Sequence, residues 1–222
     1  SGAQLRRPDE EILESACRLA CDLDHGVLPI QGPPGSGKTF MGGHMIAALV
    51  KAGRHVGVTA QSHKVIDNLL EAALKAAESH GVTMQCVHSD EPPEEEGQII
   101  YRKKNSEALE LLANGEAQVL GATTWLWSEE ASRDTVDVLF VDEAGQMSLA
   151  NVLAASPCAK SIVLLGDPQQ LNQVQNGSQP EGTEVSALEH VLAGAETMPE
   201  GKGLFLEKTW RLHPSICAYT SK

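Results

Sequence analysis

One stretch of the chain decides its fold, Gln31-Gly32-Pro33-Pro34-Gly35-Ser36-Gly37-Lys38-Thr39. Residues 32–39 fit G-x-x-x-x-G-K-[ST], the pattern of a loop whose backbone N–H groups surround phosphate oxygens. Glycines are needed because a Cβ atom would block the approach of the backbone and the positive φ angles of the turn. The pattern predicts that Lys38 contacts the β- and γ-phosphates and that the Thr39 hydroxyl ligates Mg²⁺.

The residues on either side place this loop between a strand and a helix. The apolar run 27–30 predicts a strand that enters the loop, and apolar residues at helical spacing predict a helix over 38–51. The helix would direct the positive end of its dipole at the bound phosphates. A glycine- and proline-rich turn without a ligand is the alternative interpretation. The predicted nucleotide-binding residues are Gly32, Pro33, Pro34, Gly35, Ser36, Gly37, Lys38 and Thr39.

Strands and helices are predicted to alternate along the whole chain. Short apolar runs predict strands at 27–31, 56–60, 84–88, 118–122, 136–141 and 161–165. Helical spacing predicts helices over 9–23, 38–51, 64–80, 106–114, 149–155 and 185–193. This alternation predicts an α/β fold with a mostly parallel sheet and helices on both faces. We expect residues 1–222 to form one domain.

Composition narrows the class of protein. The formal net charge of −13 argues against a broad basic surface that coats DNA, but it is compatible with a narrow nucleic-acid groove. No apolar run reaches transmembrane length and no signal segment is visible, so we expect no membrane association. Five scattered cysteines without C-x-x-C spacing predict free thiols of a cytoplasmic (intracellular) compartment. The eight histidines lack H-x-x-x-H spacing and are expected to be surface or packed residues instead of metal ligands.

A second polar signature follows the apolar run 138–141. Asp142 would hold Mg²⁺ through water, and Glu143 would orient and deprotonate the attacking water. An Asp-Glu pair alone is common on surfaces. Its position directly after a buried-type strand, about 100 residues beyond the phosphate loop, favours the catalytic interpretation.

A third strand, predicted at 161–165, leads into the polar residues 166–171. The amide of Gln170 is placed to hydrogen-bond a γ-phosphate oxygen or the attacking water, and Gln146 to do related work. For both glutamines an ordinary turn residue is the alternative. Because ligands of open α/β sheets bind beyond the carboxyl ends of the strands, all three segments are expected to meet in one site.

Four segments resemble, in sequence and in order, the motifs of superfamily 1 helicases. They are QGPPGSGKT, VDEAGQ, GDPQQL and TWRLHP. The similarity is to the branch that contains the nonsense-mediated-decay RNA helicase and bacterial nuclease-fused relatives. It covers residues 26–215 and implies the first of two RecA-like motor domains. It also implies ATP and Mg²⁺ as cofactors, single-stranded DNA or RNA as a partner, and Arg211 as a residue that reaches the γ-phosphate.

The resemblance further implies two contacts with a nucleic-acid strand. One is made by Gln61, Ser62 and His63, although Ser62 as a helix cap is an equally good interpretation. The other involves Thr123, Thr124 and Trp125. Trp125 and Trp127 are candidates for stacking on bases, with packing in the core as the alternative for either tryptophan.

The sequence departs from the family pattern in the helix before the phosphate loop. Relatives read adenine with a glutamine in the helix before the phosphate loop, but residues 9–23 contain no glutamine and Gln4 precedes them. We therefore expect other purine triphosphates to be accepted beside ATP. Residues 1–25 are interpreted as a helical lead-in and residues 204–222 as the start of a linker to a second RecA-like domain.

The chain starts with Ser1 instead of methionine, and we expect it to be part of a longer protein. Without an arginine finger from a second domain, hydrolysis by the 222 residues alone is expected to be slow. Two other functions use the same signatures: a nucleotide-gated binding or scaffold module without unwinding activity, and a small-molecule kinase. Asp142-Glu143 argues against the kinase, because a water-activating glutamate is a feature of hydrolases.

Overall fold

A parallel sheet organises the residues that the computed structural model describes, which are 5–94, 97–169 and 185–208. The strands are β1 (Val27–Gln31), β2 (Val56–Thr59), β3 (Cys86–His88), β4 (Ile100–Tyr101), β5 (Val119–Gly121), β6 (Val136–Val141), β7 (Ala159–Gly166) and β8 (Leu204–Phe205). The helices are α1 (Ile12–Asp22), α2 (Lys38–Lys51), α3 (His63–Ser79), α4 (Asn105–Ala113), α5 (Thr124–Trp127), α6 (Leu149–Ala155) and α7 (Ala187–Leu192). Short 3-10 turns cover Glu130–Ser132 and Ser156–Cys158.

The order of strands in the sheet is β4-β3-β5-β2-β6-β7-β1-β8, and the pairing of each neighbouring strand is parallel. Helices cover both faces. On β6, Val138 and Phe140 pack with residues of α1, α2 and α3, whereas Leu139 and Val141 pack with residues of α4 to α7. The period-2 alternation of a strand thus divides its side chains between two apolar cores. The predicted α/β RecA-like fold is confirmed.

Most predicted elements are present with ends shifted by a few residues. The first helix begins at Ile12 instead of residue 9, and β7 extends from Ala159 to Gly166. The sequence did not indicate β4, β8 or α5, because two to four residues are too few to show a period. Gln170 and Arg211 lie outside the described residues.

The site depends on the adjacency of β6, β7 and β1. Gln31 at the end of β1 pairs with Gly166 at the end of β7, and Val141 at the end of β6 pairs with Leu164. Parallel strands end at the same edge of a sheet, so the three following loops meet there. Strand β8 extends the same edge, since Phe205 pairs with Gln31.

The loop after β6 lies directly against the loop after β7. The backbone N–H of Ala144 donates to the carbonyl of Leu165 at 2.8 Å. A Cβ atom at Gly145 would overlap the carbonyl group of Asp167, and a Cβ atom at Gly166 would crowd the backbone of Gly145. Glycine at these two positions therefore sets how closely the Asp142-Glu143 segment approaches Asp167.

Two further findings concern the cysteine thiols and the composition of the helices. Cys17, Cys21, Cys86 and Cys158 are free thiols, and the last two are buried. Within the described ranges, no helix combines the length and apolar composition that crossing a bilayer requires.

Gly145→Ala is expected to destabilise the chain by about 1–3 kcal/mol, because the added methyl group must displace the backbone at Asp167. The measurement is the free energy of unfolding in urea. The control is Gly97→Ala, where an added Cβ meets nothing within 4 Å and the change should stay within about 0.5 kcal/mol. Equal effects of the two substitutions would show that the two loops are not held this tightly.

Candidate nucleotide-binding site

The loop between β1 and α2 has the backbone of an anion cradle. Gly35 and Gly37 have φ angles of 76° and 91°, which belong to the left-handed region that glycine tolerates best. Helix α2 begins at Lys38, so its free N–H groups and the positive end of its dipole face the loop. A Cβ atom on Gly32 would collide with the side chains of Ser36 and Leu206.

The hydroxyl group of Ser36 indicates which kind of ligand this loop suits. Its hydroxyl oxygen is buried and has no hydrogen-bond partner among the described residues. A buried hydroxyl without a partner carries a free-energy cost that a bound acceptor removes. The loop therefore fits a ligand with acceptor oxygens, which the phosphates of a nucleotide would supply.

Lys38 lies beneath the loop and is held by it. Its Nζ atom donates to the carbonyl oxygens of Gly32 at 2.6 Å and Pro33 at 3.1 Å. Burial lowers the pKa of this ammonium group, and the carboxylates of Asp167, Asp142 and Glu143 act in the opposite direction. The lysine is thus a fixed cation at the carboxyl edge of the sheet.

Asp142 is a buried carboxylate at the end of β6. Its backbone N–H donates to the carbonyl of Thr59 at 2.9 Å, which fixes it beside β2. Burial raises the pKa of its carboxyl group to about 6, and the nearby Glu143 also raises it, whereas the N–H of Glu143 and the charge of Lys38 lower it. Its ionised form is therefore stabilised by added positive charge, which Mg²⁺ would provide.

Glu143 has a strained backbone. Its φ angle is 54°, an uncommon value for a residue with a side chain, and its N–H donates to Asp142 Oδ1 at 2.8 Å. Strain of this kind persists where the surroundings impose it and is concentrated at functional sites. Directly after Glu143, the N–H of Ala144 donates to the carbonyl of Leu165 near the end of β7.

One cavity of about 930 Å³ joins these groups. Six of the eight predicted loop residues, 34–39, line it together with Asp142 and Glu143. The hydroxyl of Thr39 and the carboxylate of Asp142 are hard oxygen donors of the kind that Mg²⁺ prefers. Gln146 is not among the lining residues, and its carbonyl accepts a hydrogen bond from Gln61 Nε2 at 2.8 Å.

The cavity also contains residues that the sequence did not single out. Asp167 follows β7 just as Asp142 follows β6, so its position after a buried strand was the available signal. Other lining residues belong to the start of the chain and α1 (Arg6, Glu11, Ile12, Leu13), to α2 and α3 (Phe40, Val65, Asn68), and to β8 and the residues after it (Phe205, Lys208). No glutamine lines the cavity within the described residues, and Gln4 lies outside them.

The first predicted nucleic-acid segment follows β2. Ser62 caps α3, since its side chain accepts a hydrogen bond from the N–H of Val65 at 3.3 Å. His63 lies 3.1 Å from both His88 and Asp90, measured between side-chain polar atoms. The role of this segment in binding a nucleic acid stays a prediction.

The second predicted segment follows β5, the neighbour of β2 in the sheet. Thr123 and Thr124 are half-buried at the start of α5, and Trp125 is 81% exposed. Trp127 is buried, and its Nε1–H lies 3.2 Å from the carbonyls of both Val58 and Ala122. The prediction that Trp127 stacks on a base is therefore wrong, and the alternative interpretation holds, because its indole ring packs in the core.

The parallel sheet, the glycine-rich loop and the acidic pair at the adjacent strand end define the class of RecA-like nucleotide-binding domains. Comparison with known families agrees with this class: the family described as AAA domain matches residues 14–191. The chain belongs to this family, and its motifs are those of the RecA-like motor domain of superfamily 1 helicases.

Two relatives bear the name DNA replication ATP-dependent helicase/nuclease DNA2. The Bos taurus protein is 34% identical over 147 residues, which are 64% of this chain and 14% of the relative. The Xenopus laevis protein is 30% identical over 225 residues, which are 98% of this chain and 20% of the relative. The chain thus spans a fifth or less of the length of these relatives.

A solved structure supports the fold alone. This structure, the Sulfolobus solfataricus SWI2/SNF2 ATPase core in complex with dsDNA, aligns with a TM-score of 0.51 and 11% sequence identity. The alignment covers 95% of this chain and 46% of the solved chain.

Asp142→Asn is expected to stabilise the nucleotide-free chain at neutral pH by about 1–3 kcal/mol, because it removes a buried charge. The pKa of this carboxyl group is raised from its ordinary value of 3.8 to about 6. The native state therefore holds the proton more tightly than the unfolded state. The cost of the charge is fully present above pH 6 and disappears as the pH falls to about 4.

The measurement is the free energy of unfolding of both proteins between pH 4 and 8, with chelator present. The gain from the asparagine should shrink as the pH falls through this window. A gain that does not depend on pH would contradict the assignment of a buried carboxylate.

Proposed function

We propose that this chain is a Mg²⁺-dependent ATP-hydrolysing motor domain that acts on single-stranded DNA or RNA. The observation that carries the proposal is the convergence of Lys38, Thr39, Asp142 and Glu143 on one cavity beside the glycine-rich cradle. The names of the relatives, which describe an ATP-dependent helicase/nuclease of DNA replication, support both the nucleotide and the nucleic acid.

Each residue of the site has its own role in hydrolysis of the phosphoanhydride bond. The backbone N–H groups of Gly35 and Gly37 and the ammonium group of Lys38 bind the phosphates and neutralise charge that develops between the β- and γ-phosphates. Thr39 and Asp142 would hold Mg²⁺, which supplies further charge neutralisation when bound. Glu143 orients the attacking water and accepts its proton. Gln170 and Arg211, both outside the described residues, are proposed to contact the γ-phosphate.

The cavity leaves the choice of base open. Arg6, Glu11 and Leu13 also line the cavity and offer donors, acceptors and an apolar surface. A glutamine that would select adenine is absent from the described lining. We therefore propose that the site hydrolyses ATP and accepts other purine triphosphates.

The carboxyl ends of β2 and β5 are proposed to bind the nucleic-acid strand. Gln61, Ser62 and His63 follow β2, and Thr123, Thr124 and Trp125 follow β5. The hydrogen bond from Gln61 Nε2 to the carbonyl of Gln146 connects this surface to the loop that contains Asp142 and Glu143. Through this hydrogen bond, a conformational change of that loop on hydrolysis would be transmitted to the bound nucleic-acid strand.

The remaining partners follow from the same family assignment. A second RecA-like domain of the full-length chain would complete the channel and supply an arginine finger, whose absence costs about 10³–10⁵ in rate. Slow hydrolysis by these 222 residues alone is therefore expected. Free Cys17 and Cys21 support a reducing, cytoplasmic location.

Glu143→Gln is expected to lower the rate of ATP hydrolysis by about 10²–10⁴-fold, because an amide cannot accept the proton of the attacking water. Nucleotide affinity should change little, since the phosphates are held by the loop. The measurement is phosphate release, with and without single-stranded DNA or RNA, beside the affinity for a fluorescent ATP analogue. The control is Glu116→Gln on an exposed turn, which should behave as wild type. Hydrolysis by Glu143→Gln at the wild-type rate would contradict the role assigned to Glu143.

Trp125→Ala is expected to weaken binding to a single-stranded oligonucleotide by about 5–150-fold, which corresponds to about 1–3 kcal/mol for one stacked base. The measurement is fluorescence anisotropy at fixed salt concentration. The control is Leu153→Ala, which removes an apolar side chain of 58% exposure elsewhere on the surface. Unchanged affinity in Trp125→Ala would remove this residue from the proposed nucleic-acid surface.

A further inference from the structure

Three side chains with metal-binding atoms meet at the carboxyl end of β3. His88 is the last residue of β3, Asp90 lies two residues beyond it, and His63 is the first residue of α3. His63 Nδ1 is 3.1 Å from His88 Nε2 and 3.1 Å from Asp90 Oδ2. The ligand atoms of the three residues lie within 4.8 Å of one another.

A second carboxylate fixes the orientation of the buried histidine. His88 Nδ1 lies 2.8 Å from Asp67 Oδ1, and the same oxygen accepts a hydrogen bond from the Tyr101 hydroxyl at 2.9 Å. Because an ionised carboxylate only accepts, the proton of the neutral His88 ring belongs on Nδ1. The lone pair of Nε2 is then directed at His63. Metal-binding histidines are commonly held in this way by a carboxylate on the opposite ring nitrogen.

The spacing suits a small tetrahedral cation. Zinc bonds of about 2.0–2.2 Å to nitrogen and oxygen place neighbouring ligand atoms about 3.3 Å apart. The two separations of 3.1 Å that involve His63 Nδ1 are close to this value. Two imidazoles and one carboxylate favour Zn²⁺ over Mg²⁺ or Ca²⁺, which take oxygen ligands.

We propose that His63, His88 and Asp90 bind one Zn²⁺ ion, with Asp67 as the residue that positions His88. Three protein ligands leave the fourth position for water or another oxygen donor. The site joins the first turn of α3 to the end of β3. It therefore braces the segment that contains Gln61 and Ser62 and is separate from the Mg²⁺ ligands Thr39 and Asp142. The proposal differs from the sequence-based expectation that each histidine is a surface or packed residue instead of a metal ligand.

A hydrogen-bonded cluster without metal is the competing interpretation. In that case the Nδ1 proton of His63 is shared between Asp90 and His88, and the cluster has no affinity for zinc beyond that of surface histidines. The chain offers a matched comparison in His44 and His80. Their ring nitrogens are 2.9 Å apart and their ring centroids 5.1 Å apart, the same centroid separation as in His63 and His88. Within the described residues, this second pair belongs to no group of three metal-binding side chains.

The experiment is calorimetric titration of the chelator-treated chain with Zn²⁺ in excess Mg²⁺. One site per chain is expected. Asp90→Asn and His63→Ala, both at partly exposed positions, should weaken it at least about tenfold. Asp67→Asn should weaken it by about 10–100-fold, which is typical of a residue that positions a metal-bound histidine. His44→Ala should bind Zn²⁺ as tightly as wild type, and so should Cys17→Ser, which tests the Cys17 thiol as a source of binding.

Two further readouts separate a lost site from a lost fold. Zn²⁺ should raise the melting temperature of wild type and His44→Ala but not that of folded Asp90→Asn. Co²⁺ should give the visible absorption of a tetrahedral site in wild type and lose it in His63→Ala. The proposal is overturned if wild type binds no Zn²⁺, if His63→Ala and Asp90→Asn bind as wild type does, or if binding is lost in Cys17→Ser or His44→Ala.

Discussion

The parallel pairing of β6, β7 and β1 is the constraint on which the site depends. It brings three chain segments to one edge of the sheet, although the first lies more than 100 residues before the other two in sequence. The phosphate loop, the Asp142-Glu143 pair and Asp167 then face the same cavity. The glycines at 145 and 166 allow the last two segments to touch, and a side chain at either position would hold them apart.

The same arrangement has a cost in stability that function explains. Asp142 is buried with its pKa raised, the Ser36 hydroxyl is buried without a partner among the described residues, and Glu143 has a positive φ angle. Each is unfavourable in the nucleotide-free chain, and bound phosphate and Mg²⁺ would relieve the first two. The contacts that a bound ligand makes with Ser36 and Asp142 would therefore also remove an unfavourable feature of the nucleotide-free chain.

The carboxyl edge continues past the nucleotide cavity along β2, β5 and β3. It carries in turn the segment 61–63, the segment 123–125, and the cluster of His63, His88 and Asp90. His63 belongs both to the proposed nucleic-acid surface and to the proposed zinc site. The hydrogen bond between Gln61 and Gln146 links this half of the edge to the catalytic half. One edge of one sheet thus contains all the chemistry that we assign to the described residues.

Residues that are adjacent in the chain encode the α/β class, the phosphate loop with its helix, and the Asp-Glu pair, so these features can be predicted from the amino-acid sequence alone. Local periodicity and turn chemistry suffice for such features. Packing in the folded chain makes Trp127 a core residue and leaves Trp125 exposed, although both occupy the same four-residue helix. It also places Asp167 in the cavity and brings together His63 and His88, 25 residues apart in sequence. These depend on which strands are neighbours and how closely their loops pack, and no local pattern of residues specifies either.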